Sequence, residues 1–404
     1  MSENLKRFNE KGKMISIKVA SANTRGFLKN LFDVSSDKIE FDYNKNNLYD
    51  VHSVKRKILA KMIQWHIFDI LGIFQNIKID EVAEDACFSY NRFLRCNKPY
   101  VIFLENPFAI VNYSWDRPKY LIARRRLEKC FENPFLSGII CMSKACYENM
   151  RNIYNIPDTL KIYQIYPYIP DDLEYTFDRA SLCAKKKNVI ECLYISSVFE
   201  LKGGRDILNV FEKIEQENIQ VHVTIITKRE SIRGEDLKRI ERLKSVSVVE
   251  FNLSKKELNE YYKYSAILLN PTRADSFSLV TLEAIKYGCA ILAVDLYAIK
   301  EMVVDGYNGY ITQSMIKEWN EDGTQNKYYR THQKELLYSG KTDEKLVDWM
   351  FAKLKSLSED RELLSGMCVN SLKLARSEEF SAESILNKWE KIYEQAVMGG
   401  GRTS

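Results

Sequence analysis

The sequence predicts an α/β protein of two domains, each built on a parallel sheet, and three observations predict it. At 404 residues the chain is too long for one ordinary hydrophobic core. Short apolar runs of strand length alternate with stretches of helical apolar spacing, the pattern that buries parallel strands between helices. The charge also changes along the chain. Residues 1–170 carry 26 Lys and Arg against 18 Asp and Glu, whereas residues 171–404 carry 34 against 37, and a polar stretch over 171–187 reads as the linker between them.

In the first half, residues 14–20 read as the opening strand and residues 99–104 as a central buried one. The segment 58–74 is the most apolar, but Lys61, Gln64, His66 and Asp69 interrupt it. It is too polar and too short to span a bilayer and reads as a buried helix. A further strand over 137–142 runs into Ser143, a good N-cap for a helix over 144–154. Residues 160–166 give the next strand, and the second half opens on a strand over 189–195. A strand over 266–270 precedes a helix over 277–287 that stops at Gly288. Residues 313–342 are polar, rich in Lys, Asn and Tyr, and longer than most loops, which predicts a surface insertion or a flap. The last helix, 384–396, is amphipathic, with Ile385, Trp389, Ile392 and Tyr393 on one face.

The most informative residues are Asp275 and Glu283, one just before the helix over 277–287 and one two turns inside it. At about 1.5 Å per residue they lie roughly 10–12 Å apart along the helix axis. That is the reach from the sugar to the ribose of a nucleotide-diphosphate sugar. Between them the amides of Phe277, Ser278 and Leu279 stand at a helix N-terminus, where unsatisfied donors and the positive dipole end suit a diphosphate.

Asp275-Ser-Phe-Ser-Leu, Leu-Glu283-Ala, Gly288-Cys-Ala-Ile-Leu-Ala293 and Glu301-Met-Val-Val-Asp-Gly306-Tyr-Asn-Gly309-Tyr follow one another in this region. Together they resemble the acid-x7-acid signature of retaining glycosyltransferases with the GT-B fold, the family 4-like glycosyl transferases group 1. Asp275 stands where the family usually has Glu, and Ser276 and Ser278 where it has Gly. The resemblance implies two facing Rossmann-like domains with parallel sheets and an interdomain cleft. An acceptor-side domain would cover 1–172, a nucleotide-sugar-binding domain 173–382, and a last helix over 383–397 would pack back on the first domain.

Site roles follow from the same resemblance. Asp275 would bind the donor sugar hydroxyls, Glu283 the ribose, and Lys202 the diphosphate, whose leaving charge needs compensation. Ser197 occupies the place of the family's second cation, for which Arg273, two residues before Asp275, or Arg205 would substitute, Arg273 first because it lies on the same turn. Gly203, Ser276, Phe277, Ser278 and Leu279 complete the donor loops. In the first domain Glu105 and Asn106 stand where the family places a His, at the carboxyl end of a buried strand, and either would bind a sugar or acceptor hydroxyl.

The activity so implied is retaining transfer from a nucleotide-diphosphate sugar, a UDP-sugar in first place, to a glycan, lipid-linked or protein-linked acceptor in cell-surface glycan biosynthesis. It requires no cofactor and no metal. Two other readings stay open: a non-catalytic glycosyltransferase-like partner, since several family positions are replaced, and a nucleotide-sugar epimerase of the same architecture. No Asp-x-Asp pair stands at a strand end, and no Gly-x-Gly-x-x-Gly follows the first strand of either half, so metal-bridged and nicotinamide chemistries lack their motifs. Nine scattered cysteines without zinc-site spacing read as reduced thiols of a cytoplasmic protein, and the first residues lack a secretory signal. Arg124, Arg125 and Arg126, near Trp115 and Tyr120, suit a peripheral contact with the anionic inner face of the cell membrane, or else a solvated helix face. No nucleic-acid module is present.

Overall fold

A computed structural model describes residues 14–21, 25–43, 61–185, 188–316, 318–320 and 324–399. The chain forms two compact units, Met1–Pro170 with Ala382–Ser404, and Asp171–Ser381.

The first unit contains β1 (Ile15–Ala20), β2 (Ile39–Asp42), β3 (Ile77–Lys78), β4 (Ala86–Tyr90), β5 (Leu94–Arg95), β6 (Tyr100–Leu104), β7 (Leu136–Cys141) and β8 (Lys161–Gln164). Six of these form one sheet in the order β2-β1-β4-β6-β7-β8, parallel throughout, while β3 pairs with β5. Every residue of β4 and β6 is buried, as continuous apolar runs require when helices cover both faces of a sheet. Ser143 caps the helix Lys144–Ile153, its Oγ accepting from the Cys146 amide at 3.0 Å. The helix Ala382–Met398 packs on this sheet, with the Trp389 ring 5.8 Å from Phe88 and 5.4 Å from Phe103, and Tyr393 6.0 Å from Phe41.

Residues 58–60 of the apolar segment lie outside the described residues, and over 61–74 the chain is not one buried helix: Lys61 and Met62 are helical, a turn follows, and the short helix His66–Ile70 comes next, with Trp65, Ile67 and Leu71 exposed. Its inward-facing groups are Ile63 and the Asp69 carboxylate, which binds the buried Arg117 guanidinium at 2.9 Å. A charged anchor, not the apolar face, holds the segment.

The second unit repeats the plan with β9 (Ile190–Ser196), β10 (Val221–Thr227), β11 (Val246–Glu250), β12 (Ile267–Asn270), β13 (Ala290–Val294) and β14 (Gly309–Thr312), ordered β11-β10-β9-β12-β13-β14 and all parallel. The polar stretch expected to be a linker belongs to this unit. It forms the helix Phe177–Lys185, and its start is tied down by Asp171 to Lys286 at 2.5 Å and Asp172 to Lys263 at 2.9 Å. Residues 186–187 lie outside the described residues. The insertion over 313–342 is more ordered than a surface loop. It carries the helix Lys327–Tyr338 and a small core of Ile316, Tyr329 and Leu337 that packs on Leu201 and Ala274.

Candidate functional site

The chain order reverses between β9 and β12: from β9 the sheet continues outward to β10 and β11, and from β12 to β13 and β14. Open α/β sheets bind ligands at such a switch point, outside the carboxyl ends of the strands. The loops that follow β9 and β12 are therefore neighbours although about 70 residues separate them in sequence. Gly203 marks their contact. Its φ of +77° suits glycine, and a Cβ there would lie 2.3 Å from the Pro271 carbonyl oxygen, so no larger residue fits. One residue earlier, the Lys202 ammonium donates to the Ala274 carbonyl at 2.6 Å and to Asp275 Oδ2 at 2.7 Å.

Asp275 is shaped by both loops. Its Oδ1 accepts from the Phe277 and Ser278 amides at 3.2 and 3.0 Å. Burial pushes its carboxyl up, but the Lys202 charge and these hydrogen bonds together outweigh burial and hold it below the usual carboxylate value. The expected diphosphate donors are thereby corrected: the Phe277 and Ser278 amides already serve Asp275. Leu279, the first residue of the helix Leu279–Lys286, receives no side-chain cap from Ser278. Ser278 itself has φ +70°, the left-handed conformation that glycine adopts at no cost. Its hydroxyl is held by Asn270 Nδ2 at 2.8 Å and Thr281 Oγ1 at 2.9 Å, which fixes a serine in a glycine conformation. Ser276 lies half-buried at the tip of the loop.

Glu283, inside the helix, accepts from the Tyr262 hydroxyl at 2.9 Å and lies 3.6 Å from the Lys255 ammonium. Its partners come from the helix Lys255–Tyr264, so the second acid is oriented independently of the first.

Arg273 is not the substitute phosphate cation. It is 3% exposed, and its guanidinium binds Asp206 at 2.8 Å and the Lys341 and Leu336 carbonyls at 2.6 and 3.3 Å. It pins the insertion to the sheet. Arg205 is likewise engaged, with Asp236 at 2.8 Å and with Glu235. Ser197 is exposed just past the end of β9. Lys202 is left as the cation of the loop pair.

Glu318 was not foreseen. It stands on the insertion two residues from Ile316, and burial first, then the Asp275 carboxylate, push its carboxyl up to about 7 against the pull of Lys202. A second carboxyl thus lies within electrostatic reach of the Lys202–Asp275 pair. The available signal was the apolar pattern of Ile316, Trp319 and Tyr329 within an otherwise polar run, because such residues need something to pack on.

Glu105 and Asn106 lie in the first unit. Asn106 caps a turn, its Oδ1 accepting from the Phe108 and Ala109 amides at 3.0 and 3.1 Å, so the sugar-binding expectation fails for its carbonyl. Glu105 accepts from the Tyr90 hydroxyl at 2.5 Å and from the Tyr113 hydroxyl. Arg124, Arg125 and Arg126 are exposed on the helix Leu121–Phe131, beside Leu121 and Ile122, which are 72% and 47% exposed. Among the described residues no helix is long and apolar enough to cross a membrane.

Residues 190–322, which include both loops, match the family described as Glycosyl transferases group 1. The described architecture is the GT-B fold. Crystal structures of HepE from Anabaena, one in complex with UDP and one with UDP-glucose, are 14% identical to this chain with TM-scores of 0.57 and 0.55. They cover 95% of this chain and 100% and 99% of theirs. WaaG, a glycosyltransferase involved in lipopolysaccharide biosynthesis, is 11% identical with a TM-score of 0.56, covering 94% of this chain and 99% of its own. A 41.2 kDa protein of unassigned function from the cps region of Klebsiella pneumoniae is 22% identical over 261 residues, 63% of this chain and 68% of that protein.

Proposed function

We propose that the protein transfers a sugar from a UDP-sugar to a glycan acceptor, with retention at the anomeric carbon, in the assembly of a surface polysaccharide. The observation that carries this reading is the convergence of Lys202 and Asp275, from loops after β9 and β12, at the switch point of the second sheet. Glu283 binds the ribose and Asp275 the donor sugar. Lys202 with the Leu279 amide takes the diphosphate, shifting part of its bonding from Asp275 to the phosphate as the donor enters. The sugar–phosphate bond breaks, the acceptor oxygen forms the new bond on the same face, and its proton passes to the leaving phosphate. No side chain then needs to act as a strong base, and no metal is assigned a role. The UDP and UDP-glucose held by HepE and the cps-region origin of the Klebsiella relative support the choice of nucleotide and pathway class. The first unit is assigned to the acceptor, and Arg124–Arg126 to the anionic inner face of the cell membrane, where a lipid-linked glycan would be presented.

Calorimetry with UDP and UDP-glucose, followed by NMR of the anomeric configuration of the transfer product, tests the reading. Glu283→Gln should weaken both ligands, because loss of a charged hydrogen bond costs about 1.5–3 kcal/mol, roughly ten- to a hundredfold in affinity. Asp275→Asn should instead remove the preference for UDP-glucose over UDP. Unchanged binding of both ligands in both variants would sink the site assignment, and an inverted product would sink retention.

A further inference from the structure

The first sheet has its own switch point. Chain order reverses between β1 and β4, and Arg25, Tyr90 and Glu105 stand at or just beyond the carboxyl ends of β1, β4 and β6. There Glu105, 8% exposed, accepts one hydrogen bond on each oxygen, from Tyr90 on Oε2 and Tyr113 on Oε1. A carboxylate offers about four acceptor positions, so two are left open by the described residues. The Arg25 guanidinium, 3.9 Å from Oε2, is too far away to fill one as a hydrogen bond.

The loop that delivers Tyr113 is strained and firmly held. Asn112 and Tyr113 both have φ near +60°, as does Asn91, whose Oδ1 accepts from the Glu105 amide at 3.1 Å. Left-handed backbone at such residues is costly and persists only where the surroundings over-determine it. Here they do so. The Tyr113 amide donates to the Phe108 carbonyl at 2.7 Å, Gln64 Nε2 donates to the Asn112 carbonyl at 2.8 Å, and the Gln75 amide donates to Asn112 Oδ1 at 2.9 Å. The result is a phenol seated on Glu105 with 41% of Tyr113 still exposed. Burial and the adjacent carboxylate push the Tyr90 and Tyr113 phenols up, so both stay O–H donors at neutral pH.

We propose that Glu105 and the part-exposed Tyr113 form the sugar-binding site of the acceptor: the carboxylate takes ring hydroxyls and the tyrosine ring stacks on the apolar face of a pyranoside. A buried carboxylate with acceptor positions left open by the described residues suits hydroxyl donors. An aromatic face supplies the dispersion contact that the C–H side of a pyranose offers. The assignment narrows Glu105, expected to bind either a sugar or an acceptor hydroxyl, to the acceptor. It rests on the transferase reading but uses none of the donor residues.

Saturation-transfer NMR with methyl α-D-glucopyranoside and methyl α-D-galactopyranoside as probes tests it. The parent protein should saturate the ring protons of at least one of the two. Tyr113→Ala should lose that signal, whereas Tyr113→Phe, which keeps the ring, should retain it in weakened form. Tyr113 is partly exposed, so both variants should melt near the parent, and Glu105→Gln gives a second, independent loss. Absence of saturation of either glycoside by the parent, or an undiminished signal in Tyr113→Ala, overturns the proposal. UDP calorimetry on the same samples separates the two readings. Glycoside contact without UDP binding removes the donor, and UDP binding without glycoside contact removes this site alone.

Discussion

Lys202 and Asp275 are 73 residues apart in the chain and 2.7 Å apart in the fold. Around them each charge is set by its neighbours. Asp275 is held below the ordinary carboxylate value, so its ionised form contributes stability at neutral pH that is lost as pH falls through that lowered value. Glu318 runs the other way. Burial, then Asp275, raise it to about 7 while Lys202 opposes, and Tyr329 is the titratable group beside it on the insertion. A carboxyl raised on folding contributes its stability below the unfolded value of about 4.3 and loses it as pH rises through the folded one. Glu318→Gln should therefore flatten the thermal midpoint across this interval and raise it relative to the parent at pH 8. Midpoints that track the parent throughout would return Glu318 to an ordinary carboxylate.

The elements explain why the cations nearest the site are not all available to it. Arg273, on the loop after β12, and Arg205, at the start of the helix Gly204–Gln216, stand near where phosphate would be cradled, yet both are bound by acids and by the carbonyls of the insertion at Leu336, Gly340 and Lys341. They hold the helix Lys327–Tyr338 against the strand ends, and with it the cluster that rests on Leu201 and Ala274. Arg273→Ala leaves Asp206 buried without its charge partner, and breaking such a pair costs roughly 3–5 kcal/mol. The expected result is a large fall in urea midpoint with UDP affinity in the folded fraction little changed. Were UDP binding lost while the midpoint held, Arg273 would return to the phosphate site.

At the scale of the whole molecule, the positive excess lies in residues 1–170 and its densest run, Arg124–Arg126, is exposed beside Leu121 and Ile122. Each cation near an anionic bilayer is worth about 1 kcal/mol. That attraction is screened beyond about 8 Å at physiological ionic strength, so the association should be salt-sensitive. Replacing the three arginines by Gln should release the protein from phosphatidylserine-containing vesicles in a sedimentation assay and leave UDP binding unchanged. A parent protein that stays in the supernatant even at low salt would move the acceptor into solution.

The α/β class, the strands at 14–20, 99–104 and 266–270 and the acid pair Asp275 and Glu283 were legible in the sequence, because apolar period and acid spacing are properties of a local window. Lys202 was picked out only through the family resemblance, and the fold sets it on Asp275. Three things were not legible. Arg273 reads as a free cation until Asp206, 67 residues away, closes on it. The amides of Phe277 and Ser278 read as open donors until Asp275 turns back to fill them. Glu318 and Tyr113 read as loop residues until the insertion and the strained 106–113 loop carry them onto Asp275 and Glu105. Local pattern determines which segments become strands and helices, since that depends on neighbours in sequence. Whether a charge is free, paired or held off its usual pKa depends on which groups arrive beside it, and only the tertiary fold brings together residues that far apart in the chain.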